Sequence, residues 1–187
     1  LIDIMNSKKR NNIVLIDRDG TLNSKILGIK YITSIHQIKL NLKLLKKLKK
    51  FPNIDYICIT NQAGVAKKLV TKTKINQINM FLKKKLKLFN IYIIKFYVSY
   101  SNNNRNNYNR KPNPGLFFKA SREYDFNLKK TLYIGDDERD IIASKNAKTK
   151  CYYLGNKVKN QNKIYRKTLL NRKLEYYLKL KNNFKNI

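Results

Sequence analysis

Acidic residues are scarce in this chain of 187 residues: 11 Asp and Glu stand against 42 Lys and Arg, for a net charge of +31. There is no tryptophan, one histidine and two cysteines. With His36 as the sole histidine, and with Cys58 and Cys151 isolated inside apolar runs, no Cys/His set exists for a zinc site. The two thiols read as small buried hydrophobes, not as a disulfide. Long apolar runs are also missing. None approaches the ~20 residues a bilayer span requires, so no membrane partner is expected. The N-terminal stretch lacks the apolar core of a signal peptide. These absences point to a cytoplasmic protein. The apolar fraction, 42%, is nonetheless ordinary for a chain that buries a core.

The excess of positive charge has two readings. One is a nucleic-acid partner, since clustered Lys and Arg neutralise phosphates. The other is compositional drift toward Lys, Asn, Ile and Tyr. Drift carries more weight here, because the basic residues show no boundary and no nucleic-acid-binding motif accompanies them. Either way the field attracts anions.

The few acids that remain are not scattered. Asp17 and Asp19 follow the apolar run Ile13–Ile16, and Asp136, Asp137, Glu138 and Asp140 follow Leu132–Ile134. Carboxylates gathered at strand ends repel one another unless a metal ion or a proton offsets them. That is the pattern of a site, not of a solvated face.

Between these clusters the hydrophobic pattern alternates between short apolar runs and helical spacing. Strands are predicted at 13–16, 56–59, 91–98, 132–134 and 151–154. Helices are predicted at 37–50, from an N-cap at Thr71 with Ile75, Ile78, Leu82 and Leu86 on one face, from Pro114, and over about 139–146. Alternation of this kind, with strands apolar on both faces, implies a parallel sheet covered on both sides. Ligands of such sheets bind beyond the carboxyl ends of the strands. Residues 1–155 form the predicted domain, with its core over about 12–154. Residues 156–187 form a basic tail with a helical stripe of Ile164, Leu169, Leu170, Leu174, Tyr177 and Leu178.

Four segments at strand ends carry chemistry. In Asp17-Arg-Asp-Gly-Thr-Leu22, two carboxylates two residues apart can enter one pocket. One can attack phosphorus and the other can move the proton of the departing alcohol. Thr60, in Thr60-Asn-Gln-Ala-Gly64, can donate to a phosphate oxygen, although Thr-Asn after a strand is also ordinary turn chemistry. In Arg110-Lys-Pro-Asn-Pro-Gly115, Lys111 supplies positive charge and Arg110 can fork onto a second anionic group. Asp136 and Asp137 suit Mg²⁺, a hard cation that takes oxygen ligands. Glu138 and Asp140 open a helix, where acids gain from the dipole, and capping is the reading given to both.

The order, spacing and complementary roles of the four segments resemble the haloacid dehalogenase-like phosphohydrolases. Within them, Asp17-Arg-Asp-Gly-Thr-Leu-Asn23, Thr60–Gly64 and Arg110–Gly115 look like the branch of D-glycero-D-manno-heptose 1,7-bisphosphate phosphatase and histidinol-phosphate phosphatase. The resemblance covers about residues 13–154. It implies an α/β, Rossmann-like three-layer sandwich with a central parallel sheet. The segment lengths leave no room for a separate cap domain.

It implies Asp17 as nucleophile and metal ligand, and Asp19 as general acid and base with its backbone carbonyl on the metal. Asp136 completes the metal ligands. Thr60, Asn61, Gln62 and Lys111 hold the phosphoryl group, Arg110 contacts the rest of the substrate, and Asp137 assists at metal or substrate. The implied activity is a Mg²⁺-dependent phosphatase working through an aspartyl-phosphate on a small phosphorylated sugar, most of all a heptose bisphosphate. Histidinol phosphate or a nucleic-acid 3′-phosphate are the alternative substrates, and a degenerate nucleic-acid-binding domain is the non-enzyme alternative. One departure stands out: members of this branch often carry a zinc-binding Cys/His loop before the Arg-Lys-Pro segment. Residues 99–109 here hold neither Cys nor His, so no zinc is expected.

Overall fold

A computed structural model describes residues 12–102 and 107–155, together with Leu174, Tyr176, Leu178 and Lys179. Five strands form one parallel sheet: β1 (Ile13–Ile16), β2 (Asp55–Asn61), β3 (Tyr92–Ser99), β4 (Leu132–Gly135) and β5 (Lys150–Tyr153). Their order is β3-β2-β1-β4-β5. The chain therefore leaves β1 toward one edge, then returns to build β4 on the other side of it. This reversal opens a crevice at the carboxyl ends of β1 and β4, the place where open α/β sheets bind ligands.

Alternation along each strand sends side chains to two cores. Val14, Ile16, Tyr56, Cys58 and Ile134 face one side, where α1 (Leu42–Leu48) and α2 (Lys72–Lys87) pack through Leu45, Leu48, Leu82 and Leu86. Ile13, Leu15, Ile57, Ile59 and Tyr133 face the other, against Phe117 and Ala120 of α3 (Gly115–Glu123) and Ala143 of α4 (Glu138–Asn146). The result is the expected three-layer arrangement. Leu174 and Leu178, helical and one turn apart, are fully buried in the first core beside Leu48. Part of the basic tail thus completes the domain, while Ile164, Leu169, Leu170 and Tyr177 lie outside the described residues, as do residues 103–106 of the Asn-rich loop.

Two expectations need correction. The helix predicted over 37–50 is shorter, and a separate 3₁₀ helix, Ile35–Gln37, precedes it. Ser34 and Gln37 close a capping box around that turn, and Ile38 is extended. Asn41 then starts α1, its side chain accepting from Leu44 N at 3.2 Å and donating to Thr21 O at 2.9 Å. Ile38 packs on the core from an extended segment, so its spacing with Leu45 and Leu48 imitates a helical face that begins only with α1. The second correction concerns β3. It is an edge strand, and Tyr92 and Lys95 are exposed, so it is not apolar on both faces. An edge carrying a charged residue resists pairing with other chains. No helix among the described residues is long and apolar enough to cross a membrane.

Candidate active site

β1 ends at Ile16 and delivers Asp17 to the crevice, where its backbone N–H donates to Ile134 O at 2.8 Å. The chain then turns through Gly20 at φ 87°, a conformation that glycine adopts freely. A side chain at Gly20 would also run into the Asp136 carboxylate. Gly20 therefore lets the first acidic segment lie directly against the second. Thr21 ties them by donating to Asp136 Oδ1 at 3.2 Å. Asp17, Asp136 and Asp140 each offer an oxygen, all within 4.8 Å of one another.

Lys111 is the centre of charge compensation. Its ammonium is buried, 2.7 Å from Asp17 Oδ1 and 2.8 Å from Asp140 Oδ1. It also donates to Ile59 O at 2.9 Å and to Tyr133 Oη at 2.8 Å. Tyr133 in turn donates to Asp140 Oδ1 at 2.8 Å. Burial, with the neighbouring Asp140 and Asp136, pushes the Asp17 carboxyl up to about 8 against the pull of Lys111. Lys111 is itself raised: burial opposes its charge, but Asp140 and Asp17 outweigh burial. Burial also raises Asp136, partly offset by Lys25.

Asp19 has a different setting. The guanidinium of Arg18, fully buried, forks onto it with distances of 3.0 and 2.8 Å. Arg18 also donates to Asn79 Oδ1 at 2.9 Å and Gln62 Oε1 at 2.8 Å. Gln62 completes the ring, donating to Asp19 Oδ2 at 2.7 Å and Thr60 Oγ1 at 2.8 Å. Burial works to raise the Asp19 carboxyl, but Arg18 and Gln62 prevail and hold it below the usual range.

The residues given a catalytic, metal or phosphate role in the sequence line one cavity of about 420 Å³, and Glu138 does not. Asp17, Asp136, Thr60 and Lys111 converge on its floor at the strand ends. Asn61 lines it but commits its amide to the Lys111 backbone, donating to O at 2.9 Å and accepting from N at 3.1 Å. Arg110 is buried, one guanidinium nitrogen donating to Ser101 O at 2.7 Å. Asp137 caps α4 and pairs with Arg139. Burial opposes its charge, but the Arg139 hydrogen bonds bring its carboxyl down to about 2.

The site also includes groups that the sequence reading placed elsewhere. Asp140 does close the capping box of α4, but the same carboxylate touches Lys111 and Tyr133. Capping alone is therefore too small a role. Asp140 is the third residue of α4, where a capping-box side chain turns back toward the strand end that carries Asp136. Tyr133 sits in a strand run read as pure core, and no pattern marks its hydroxyl as part of a site.

The acids also fit a hard cation. Asp140 Oδ2 accepts from the backbone N–H groups of Asp136 and Asp137, both at 3.0 Å, and its Oδ1 is taken by Lys111 and Tyr133. Each of its oxygens thus meets two partners, whereas Asp136 Oδ2 meets the exposed Lys25 ammonium and Lys111 takes Oδ1 of Asp17, so Asp17 and Asp136 are the carboxylates best able to ligate. An all-oxygen set of this kind suits Mg²⁺.

A profile of the family described as haloacid dehalogenase-like hydrolase matches residues 23–154. The D-glycero-alpha-D-manno-heptose-1,7-bisphosphate 7-phosphatase of Photorhabdus laumondii is 27% identical over 144 residues, covering 72% of this chain and 77% of that one. The D-glycero-beta-D-manno-heptose-1,7-bisphosphate 7-phosphatase of Helicobacter pylori strain 26695 is 28% identical over 143 residues, covering 75% and 81%. Among solved structures, the D,D-heptose 1,7-bisphosphate phosphatase from B. bronchiseptica, complexed with magnesium and phosphate, superposes with a TM-score of 0.69 at 22% identity, over 75% of this chain and 78% of that one. A HAD-like phosphatase from Mesorhizobium loti gives 0.70 at 20% identity, over 90% and 86%. These structures share the fold, and the profile match spans most of the sheet and three of the four strand-end segments. The chain belongs to the haloacid dehalogenase-like hydrolase family and is a phosphatase within it.

Proposed function

We propose that the chain is a Mg²⁺-dependent phosphatase of a small phosphorylated sugar, with a heptose 1,7-bisphosphate as the leading substrate. The observation that carries this reading is the Lys111 ammonium held 2.7 Å from Asp17 Oδ1, at the end of β1 and inside an anion-attracting cavity. A nucleophilic carboxylate beside a fixed cation is what attack on a phosphate dianion requires. The similarity to heptose bisphosphate phosphatases supplies the substrate class.

In the first step an Asp17 oxygen forms a bond to phosphorus and the bond to the sugar oxygen breaks. That oxygen takes a proton that Asp19 carries into the reaction, and the Arg18 fork favours the carboxylate left behind. In the second step Asp19 removes a proton from water, and the water oxygen attacks the aspartyl-phosphate. The bond to Asp17 breaks, inorganic phosphate departs, and Asp19 is protonated again. Thr60 and Lys111 hold the transferring group throughout, and Asn61 fixes the Lys111 backbone. Asp17, Asp136 and the Asp19 carbonyl would hold Mg²⁺, which neutralises charge on the phosphoryl oxygens. Arg110 and the lysines that line the cavity suit a second phosphate.

The test is phosphate release from heptose 1,7-bisphosphate, histidinol phosphate and a 3′-phosphorylated oligonucleotide, each with Mg²⁺ and with chelator. The expected result is release from the heptose compound in Mg²⁺ alone, lost in Asp17→Asn while the fold persists. Retained turnover in Asp17→Asn would sink the mechanism. Preference for either other substrate would move the specificity.

A further inference from the structure

Among the described residues, Lys111 is one of two ammonium groups paired with the Asp17, Asp136 and Asp140 cluster. The other is Lys25, whose Nζ lies 2.5 Å from Asp136 Oδ2. The two differ in how firmly they are held. Lys111 has four oxygen partners and a side chain 4% exposed. Lys25 has one carboxylate partner, and its side chain is 67% exposed. Asp136 Oδ1 accepts from Thr21, so Oδ2 is the oxygen left for a metal, and Lys25 sits on it.

We infer that Lys25 is a tethered counter-ion that competes with the metal for Asp136 and swings away when the metal binds. The inference rests on the reading of Asp17 and Asp136 as a Mg²⁺ site. Without a divalent ion, three carboxylates within 4.8 Å repel one another, and Lys111 offsets only Asp17 and Asp140. Lys25 neutralises the third. It comes from the loop after Asn23, which lines the same cavity, and its flexible stem lets it leave without disturbing the core. A metal must then displace a cation already in place, and its affinity is lowered by the strength of that ion pair. Pairs with one solvent-facing partner are modest, so the effect is roughly two- to fivefold in metal affinity. Once displaced, the same ammonium stands in the cavity, where an anionic substrate meets it.

The experiment is Mg²⁺ binding to the full chain, measured by calorimetry on wild type, Lys25→Gln, Lys25→Arg, Lys67→Gln and Asp136→Asn, with thermal unfolding to confirm folding. Lys67 lines the same cavity but lies over the Tyr31 ring at 5.7 Å, so it controls for loss of charge alone. Lys25→Gln should bind Mg²⁺ roughly two- to fivefold more tightly than wild type. Lys25→Arg and Lys67→Gln should stay near wild type. Unchanged affinity in Lys25→Gln, or equal tightening in Lys67→Gln, overturns the inference. If Asp136→Asn loses Mg²⁺ while Lys25→Gln is unchanged, only the role of Lys25 falls. If Asp136→Asn binds as wild type does, the metal site itself falls, and the inference with it.

Discussion

Lys111 Nζ bridges Asp17 and Asp140, 2.7 Å from one carboxylate and 2.8 Å from the other, and all three side chains are buried. Removing one partner of such a set leaves like charges buried without compensation. Lys111→Met should therefore lose about 3–5 kcal/mol of stability in urea unfolding. It should also lower turnover at least ~100-fold, since the fixed cation beside Asp17, the proposed nucleophile, is gone. A variant that unfolds like wild type would show that the ion set is weaker than its geometry.

Asp140 and Glu138 should separate cleanly. Asp140 closes the helix cap and touches Lys111, whereas Glu138 is half-buried at the first turn of α4. Asp140→Asn should lower both melting temperature and turnover. Glu138→Gln should stay within about 0.5 kcal/mol of wild type, as surface changes usually do. Equal loss of activity in both would return Asp140 to a capping role.

Arg18 should act through Asp19. Its guanidinium is fully buried and satisfies Asp19, Gln62 and Asn79 together. Arg18→Met strands three polar partners, a loss of about 2 kcal/mol or more. If it orients Asp19, kcat should fall with KM little changed. A change confined to KM would show a substrate contact instead.

Cys58 and Cys151 should resist thiol reagents in the native state. Burial pushes the Cys151 thiol up to about 12, and burial also raises Cys58. At pH 8 a thiol of that kind is ~10⁻⁴ thiolate, and the thiolate is the reactive form. Both native values lie above that of an unfolded thiol, so the native state keeps a proton that the unfolded chain gives up. Stability falls as pH rises past about 8.5. Labelling at pH 8 should therefore be slow and should accelerate with denaturant. Rapid labelling of Cys58 in buffer would contradict its buried setting; Cys151 is half-buried, not buried as expected, and its raised thiol is what slows it.

The C-terminal segment should be structural. Leu174 and Leu178 are fully buried in the core that holds Leu45 and Leu82. Leu174→Ala or Leu178→Ala should each lose about 2–5 kcal/mol, the range for a buried Leu→Ala. Changes near zero would mean that the segment only rests on the domain.

Much of this architecture was legible in the chain. Short apolar runs located all five strands, and Thr71 with its Ile75, Ile78, Leu82 and Leu86 face located α2. The helix before β2 starts later than its pattern suggests because Ile38 is apolar for reasons of packing, not of helical period. Asp17 and Asp136 stood out because each directly follows a strand, Thr60 because it lies at the end of one, and Lys111 because of the Arg-Lys-Pro segment before α3; every parallel strand ends on the same side of the sheet.

Sequence alone therefore determined the alternation of strands and helices, the excess of positive charge, and the clustering of acids at strand ends. These depend on local periodicity and composition. Tertiary structure decided who pairs with whom. Lys111 meets Asp17 across 94 residues, Arg18 meets Asn79 across 61, and Thr21 meets Asp136 across 115. It also made Tyr133 a part of the site and set Lys25 on an Asp136 carboxylate oxygen. The physical reason is the order of the strands. Placing β1 between β2 and β4 brings distant strand ends within hydrogen-bonding distance, and no local pattern encodes which groups then meet.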